Sequence, residues 1–315
     1  MGIADKHIYF GGAGRVGTGN PWGVMGEITA NALAPLGYEV TLVGEAWGQN
    51  NPRFVSEGKV DFGGTRLSAI RRAYEGSGLY EKEGPRKNLR VIANINQPGW
   101  LAVAVKWETG ITNLGQIKER QLPVRIYDPG FNSHSAPIWA HYGITKEMIE
   151  SWGGRFIDPA TTPTPGMPSI RGEWSRSGSF DIIIDNLYLS YTPEIRHWHE
   201  ACVLFNLRFL DVPEAAIPAV AKEIDGKPGF IPHNLYRGVD RNIPTAARGP
   251  QTYYARDDMP DDFAYSLAKA YDDNRHLFRD VHLPFSYDPK TVAVTNGLPL
   301  HPGAERYYKE MGYIS

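Results

Sequence analysis

Residues 10–23, FGGAGRVGTGNPWG, are the stretch on which the reading of the fold turns. Before them, His7-Ile8-Tyr9-Phe10 is aromatic and β-branched and reads as a buried strand. After them, Val24, Met25, Ile28, Leu33 and Leu36 recur on roughly one helical face. Asn20 supplies a helix cap, and Pro21 fits the first helical position because its missing N–H is needed by no partner there. A glycine-rich loop thus runs from a strand end into a helix N-terminus. Such a loop lets backbone N–H groups approach an anion, and the helix dipole favours negative charge. Gly14, Asn20 and Trp22 are the candidate ligand contacts from this loop.

Residues 12–17, GAGRVG, also match the GxGxxG outline of a dinucleotide site, with Glu45 closely following the next strand. The third glycine of that fingerprint belongs inside the helix. Here Thr18-Gly19-Asn20-Pro21 follows it, a run that breaks a helix. A nucleotide-dependent oxidoreductase is therefore the weakest of three readings.

Working outward, strands are expected at 38–44, 60–66, 88–96, 99–106, 123–127, 180–184, 202–209 and 251–255. Helices are expected at 54–58, 112–117, 136–142, 145–152, 214–224 and 261–277, with another starting at Pro302. Residues 69–84 read as a charged surface excursion, 158–178 as a long Pro/Gly/Ser/Thr-rich loop, and 229–242 as loop-like. The interruption Gln97-Pro98 marks the first crossing between lobes. The expected division is 1–98 with 205–315 as lobe 1, and 99–204 as lobe 2.

A chain of 315 residues is long enough for two cores, and a formal charge of −2 gives no basic excess for nucleic acid. The lone Cys202, in the run ACVLF, excludes an internal disulfide and reads as a buried thiol. No apolar run approaches the roughly 18–20 residues that span a bilayer. Residues 1–6 do not form a secretory signal. The expected location is periplasmic if a signal peptide was removed, and cytoplasmic if Met1 is the native start. Eight tryptophans and seventeen tyrosines suit a site that needs an apolar face with a polar tip.

Four stretches carry a family resemblance. The end of the chain, GLPLHPGAERYYKEMG at 297–312, resembles the ending of the TAXI family, solute-binding proteins of tripartite TRAP transporters. YARDDMP at 254–260 is similar to that family's strand-then-helix segment, SEGKVDFG at 56–63 to its "SGEADLG" element, and the loop at 11–23 to its N-terminal ligand loop. The resemblance implies an α/β, two-lobed type II periplasmic-binding-protein-like fold with a ligand cleft between the lobes. It also implies a small organic anion as ligand and TRAP membrane components as partners, with no cofactor and no metal. Where the family carries Gly-Gly-Ser, this chain has Ala46-Trp47-Gly48, with Asn51 matching the family's Asn. The second-lobe loop is Phe131-Asn132-Ser133-His134-Ser135. Trp47, Phe131 and His134 are bulky, so a larger or aromatic ligand is expected.

Further candidates come from strand ends, where ligand contacts concentrate. Thr65-Arg66 ends a strand, and Arg66 suits bidentate pairing with a carboxylate. Asp185-Asn186 is expected to terminate the apolar strand FDIII, and Tyr236 and Arg237 lie in a loop corresponding to a family region near the ligand. His197-Trp198-His199-Glu200 is not a metal site, because i and i+2 histidines do not share a helix face. The second reading is a cytoplasmic enzyme on the same scaffold, a decarboxylase, lyase or hydratase of small or aromatic acids. In it, His134, Asp128 and Asp185 would be catalytic, with His134 moving a proton.

Overall fold

The computed structural model of the chain describes residues 5–12, 21–44, 51–129, 131, 133–157, 178–189, 196–281 and 285–315. They form two compact units, Met1–Gln97 with Gly249–Ser315, and Pro98–Arg248. Each unit has its own sheet and its own apolar core, which is the two-lobed α/β architecture.

The first unit begins with β1 (His7–Gly11), α1 (Pro21–Leu33), β2 (Glu39–Val43), α2 (Asn51–Ser56), β3 (Phe62–Arg66), α3 (Leu67–Glu75) and β4 (Leu89–Ile95). Ile8 and Phe10 of β1 are buried while His7 and Tyr9 are half-buried, the alternation of a strand with two unlike faces. α3 occupies the start of the stretch expected as a surface excursion. Leu67, Ala69, Ile70 and Ala73 bury one face of it. It stops at Gly76, whose φ of 75° is left-handed and whose N–H bonds Ala73 O. The neighbouring glycines and charges masked that short stripe.

The second unit carries β5 (Gly99–Lys106), α4 (Gly115–Glu119), β6 (Arg125–Tyr127), α5 (Ala136–Tyr142), α6 (Lys146–Ser151), β7 (Arg155–Phe156) and β8 (Ile182–Tyr188). There follow α7 (Arg196–Leu204), β9 (Leu207–Leu210), α8 (Ile217–Glu223), β10 (Lys227–Ile231) and β11 (Ile243–Ala247). Its strand order is β10-β11-β5-β8-β6-β7, with β9 also on β5. The expected return to the first lobe at residue 205 is therefore corrected to the step from Arg248 to Gly249, because β9, β10 and β11 all pair within this sheet. The expected strand at 202–209 is the end of α7 followed by β9. His197, Trp198, Ala201 and Cys202 bury one helical face, and a short apolar run does not reveal its period. Burial pushes the Cys202 thiol up to about 12, so it is inert at neutral pH.

The chain re-enters the first unit with β12 (Gln251–Arg256), α9 (Asp261–Asp273), α10 (Arg275–Arg279) and α11 (Pro302–Glu310). The order is β2-β1-β3-β12-β4, with β12 antiparallel to both β3 and β4. An antiparallel strand inside the sheet departs from the parallel sheet of a dinucleotide fold.

His301 caps α11. It is fully buried, and its Nδ1 accepts from Gly303 N–H at 3.3 Å. Burial lowers its affinity for a proton, against the opposing pull of Asp261. An imidazole held below its ordinary value stays neutral when folded and gains a proton when unfolded. Its contribution to stability is thus complete above the unfolded value of about 6.5 and declines as pH falls below it. Urea midpoints measured from pH 7.5 to pH 5 are expected to fall with a slope that His301→Asn flattens.

Candidate functional site

In the first unit β1, β3 and β4 run in one direction and β12 in the other. Their shared edge brings together Gly11-Gly12, Thr65-Arg66, Ile95 to Gln97, and Gln251. Gly12 has φ 134°, and a Cβ there would stand 2.6 Å from Gly64 O and 2.8 Å from Asn51 Nδ2. Only glycine allows that close approach. Asn51, the first residue of α2, is fully buried. Tyr254 Oη donates to its Oδ1, and its Nδ2 donates to Gly64 O at 3.3 Å. Asn51 therefore ties α2 to β3 and β12. Thr65 is buried within β3. Arg66, half-buried, stands at the start of α3 opposite Gln251. The Trp22 indole N–H, in the first turn of α1, is enclosed and meets no acceptor among the described residues. Gly14, Asn20, Trp47 and Asn132 lie outside the described residues.

In the second unit β6 and β8 are parallel, and Asp128, Phe131 and Ser133–Ser135 follow the carboxyl end of β6. Asp128 accepts from Ser135 Oγ at 2.8 and 2.7 Å and from Trp139 Nε1 at 2.7 Å. These bonds stitch the loop after β6 onto α5. Ser133 Oγ lies 3.3 Å from His134 Nδ1. Phe131 packs edge-on against Phe156, with ring centroids 4.8 Å apart, and near Trp139. Replacing Asp128 with Asn removes the charge that strengthens these bonds. We expect a loss of about 1–3 kcal/mol, read from urea unfolding followed by tryptophan fluorescence.

Asp185 does not end β8 as expected but sits inside it, opposite Ala102 of β5. A buried carboxylate mid-strand is tolerated because His197 Nε2 lies 3.2 Å from its Oδ2 and the Asn186 N–H donates to its Oδ1 at 2.7 Å. The Tyr127 ring lies 5.5 Å from the His197 ring, so the end of β6 lies close to this pair. Asn186 Oδ1 accepts from Arg248 Nη1, and Asn186 O accepts from Trp198 Nε1 at 3.0 Å. Tyr236 Oη donates to Tyr188 O at 3.2 Å and lies 3.1 Å from His199 Nε2. Arg237 lies elsewhere: exposed, it donates to Val203 O and Asn206 Oδ1 at the end of α7.

The geometry adds residues that sequence reasoning passed over. Arg248 is buried, its N–H donates to Gly99 O at 2.8 Å, and its guanidinium lies over the Tyr188 ring at 5.5 Å. It precedes Gly249-Pro250 at a strand end, the kind of signal that singled out Arg66. In the sequence Gln97 marks only the crossing between lobes, and Gln251 only the start of a strand. His197 was judged as a metal ligand and not as a partner for Asp185. Among the described residues no group of three His, Cys, Asp or Glu side chains is placed to hold a metal ion.

The chain matches the NMT1-like family over residues 10–161 and 200–312, most of its length. It belongs to the NMT1-like family. This NMT1-like chain is also similar in fold to solved structures at low identity. A TctC solute-binding protein from Polaromonas shares 13% identity over 98% of each chain, with a TM-score of 0.49. PhnD1 from Prochlorococcus marinus, in complex with methylphosphonate, shares 10% over 98% of this chain and 99% of its own, at 0.44. A substrate-binding protein of an ABC uptake transporter from Streptococcus pneumoniae, with bound histidine, shares 11% over 88% and 91%, at 0.41. No helix among the described residues of the NMT1-like chain is long and apolar enough to cross a membrane.

Proposed function

We propose that this chain is a TAXI-type solute-binding protein that captures a small organic acid for TRAP membrane components, in the periplasm. The observation that carries the reading is the polar edge of the first sheet. There Arg66, the enclosed Trp22 N–H and the close-packed Gly12 stand at the ends of β1 and β3 and the start of α1. Open α/β sheets take their ligands outside the carboxyl ends of their strands. Arg66 supplies a planar two-donor fork for a carboxylate, and the glycine-loop N–H groups add further donors. In the second unit Arg248, just after β11, donates to Asn186 Oδ1 and is a further candidate cation. Membership of the NMT1-like family and the TAXI-like run at 297–312 support the same reading. The aromatic character of Trp47 and Phe131 favours an aromatic acid.

Thermal unfolding of the full chain against a panel of aliphatic and aromatic carboxylic acids tests this. A ligand at about 100 times its Kd stabilises the folded state by about 2.7 kcal/mol. At least one acid is expected to raise Tm in a concentration-dependent way. A panel of neutral sugars and cations that raises Tm while every acid leaves it unchanged contradicts the proposal.

A further inference from the structure

Gln97 and Gln251 are both more than nine-tenths buried, and Gln251 Nε2 donates to Gln97 Oε1 at 2.8 Å. That single bond leaves Gln97 Nε2 and Gln251 Oε1 enclosed and without a partner among the described residues. Exchanging O and N in both amides reverses the bond and again leaves one donor and one acceptor, so the count does not depend on amide orientation. Enclosed polar atoms left unpaired are costly, and where a fold keeps them they point to a partner that arrives separately.

The pair stands in a telling place. Gln97 is the last residue of the first unit before the chain leaves it, and Gln251 opens β12 soon after it returns. Gln251 opposes Arg66 on β3 and Ile95 on β4. Residues directly opposed on antiparallel strands present their side chains on one face, about 5 Å apart. Arg66 is opposed to Gln251 and Gln251 bonds Gln97, so the three form a row, a cation followed by a neutral donor–acceptor pair.

We propose that the Gln97–Gln251 pair is a specificity subsite that reads a hydroxyl of the bound acid, so that the ligand is an α- or β-hydroxy carboxylic acid. This rests on the reading of Arg66 as the carboxylate anchor. The group that completes the pair must accept from Gln97 and donate to Gln251. A carboxylate only accepts and an ammonium only donates, whereas a hydroxyl does both through one atom. The short step from Arg66 to Gln251 matches a hydroxyl one or two carbons from the carboxylate. An enclosed water has the same chemistry, and a carboxamide meets the same need through two atoms. The test separates all three.

Calorimetry of the full chain with succinate, malate and succinamate, and with 3-phenylpropionate and 3-phenyllactate, reads the subsite directly. The hydroxylated member of at least one pair is expected to bind roughly tenfold tighter or better than its parent, because a site built around a hydroxyl rejects the analogue lacking it. Gln251→Leu is expected to bring that ratio to within about twofold while the parent acid keeps its affinity, since only the bonds to the hydroxyl are lost. Gln97→Met, close to isosteric, gives the same readout if Gln251→Leu does not fold. Equal binding of parent and hydroxy acid means that the pair holds only a water and overturns the subsite. Preference for succinamate over malate, or a hydroxyl preference that survives both substitutions, overturns it as well. Binding of no acid in either series removes the Arg66 reading and this proposal with it.

Discussion

Arg66→Ala is expected to weaken capture of the acid by roughly 30- to 1,000-fold, the equivalent of about 2–4 kcal/mol for removing one side of a desolvated charge pair. Arg66 starts α3 through its backbone, so the start of that helix does not depend on the guanidinium. Arg66→Lys keeps the charge but loses the two-donor fork, so an intermediate loss is expected. Calorimetric titration of the three proteins, with Tm measured in parallel without ligand, separates affinity from stability. An alanine variant that binds within about threefold of the parent protein would move the anchor elsewhere, with Arg248 the next residue to replace.

The second large effect concerns stability. Asp272 is buried in α9 and accepts from Tyr307 Oη at 2.8 Å and Tyr313 Oη at 2.7 Å, with Arg275 Nε 2.5 Å away. It clamps the end of the chain to the body of the first unit, and Tyr308 adds a bond to Ile92 O at 2.9 Å. Asp272→Ala leaves two hydroxyls and a cation without their common acceptor. The expected cost is about 2–4 kcal/mol, set by the two tyrosine hydroxyls that lose a charged acceptor, since the half-exposed Arg275 is resolvated by water. Tyr307→Phe and Tyr313→Phe should each cost about 1–2 kcal/mol, and either one combined with Asp272→Ala should add far less than its own value. Urea unfolding gives all of these numbers. A loss below about 1 kcal/mol for Asp272→Ala would show that the clamp is not the anchor of the C-terminal helix.

This clamp marks where sequence reading succeeds and where it stops. Pro302, Tyr307 and Tyr308 were legible as a helix, and the run containing them carried the family resemblance. The partners of those tyrosines are Asp272 and Ile92, and the latter is more than 200 residues away. No local pattern announces such a pairing. β1, β2, β4, β5 and α5 were legible because their apolar period is clear and each is bounded by Gly, Pro or polar residues. The end of α7 was misread because the run at 202–205 is too short to distinguish period 2 from period 3.6. That error also moved the expected lobe boundary, since a strand at 202–209 suggested an early return.

The candidate site divides in the same way. Arg66 was visible as a cation at a strand end. Arg248 occupies an equivalent kind of position but sits at the step back into the first unit, which the expected boundary at 205 missed. Asp128 and Ser135 were both singled out, yet their mutual bond with Trp139 depends on how the loop after β6 folds onto α5. For Asp185, the sequence offered His134 as a companion in the enzyme reading. The imidazole 3.2 Å from its carboxylate belongs to His197 of α7.

Native mass spectrometry of the full chain, incubated with mixed aliphatic and aromatic carboxylic acids, tests the central claim most directly. The expected result is a one-to-one complex that retains one acid, which is released on activation with its mass unchanged. Release of a product changed by loss of carbon dioxide, or by loss or gain of water, would contradict the account and establish an enzyme.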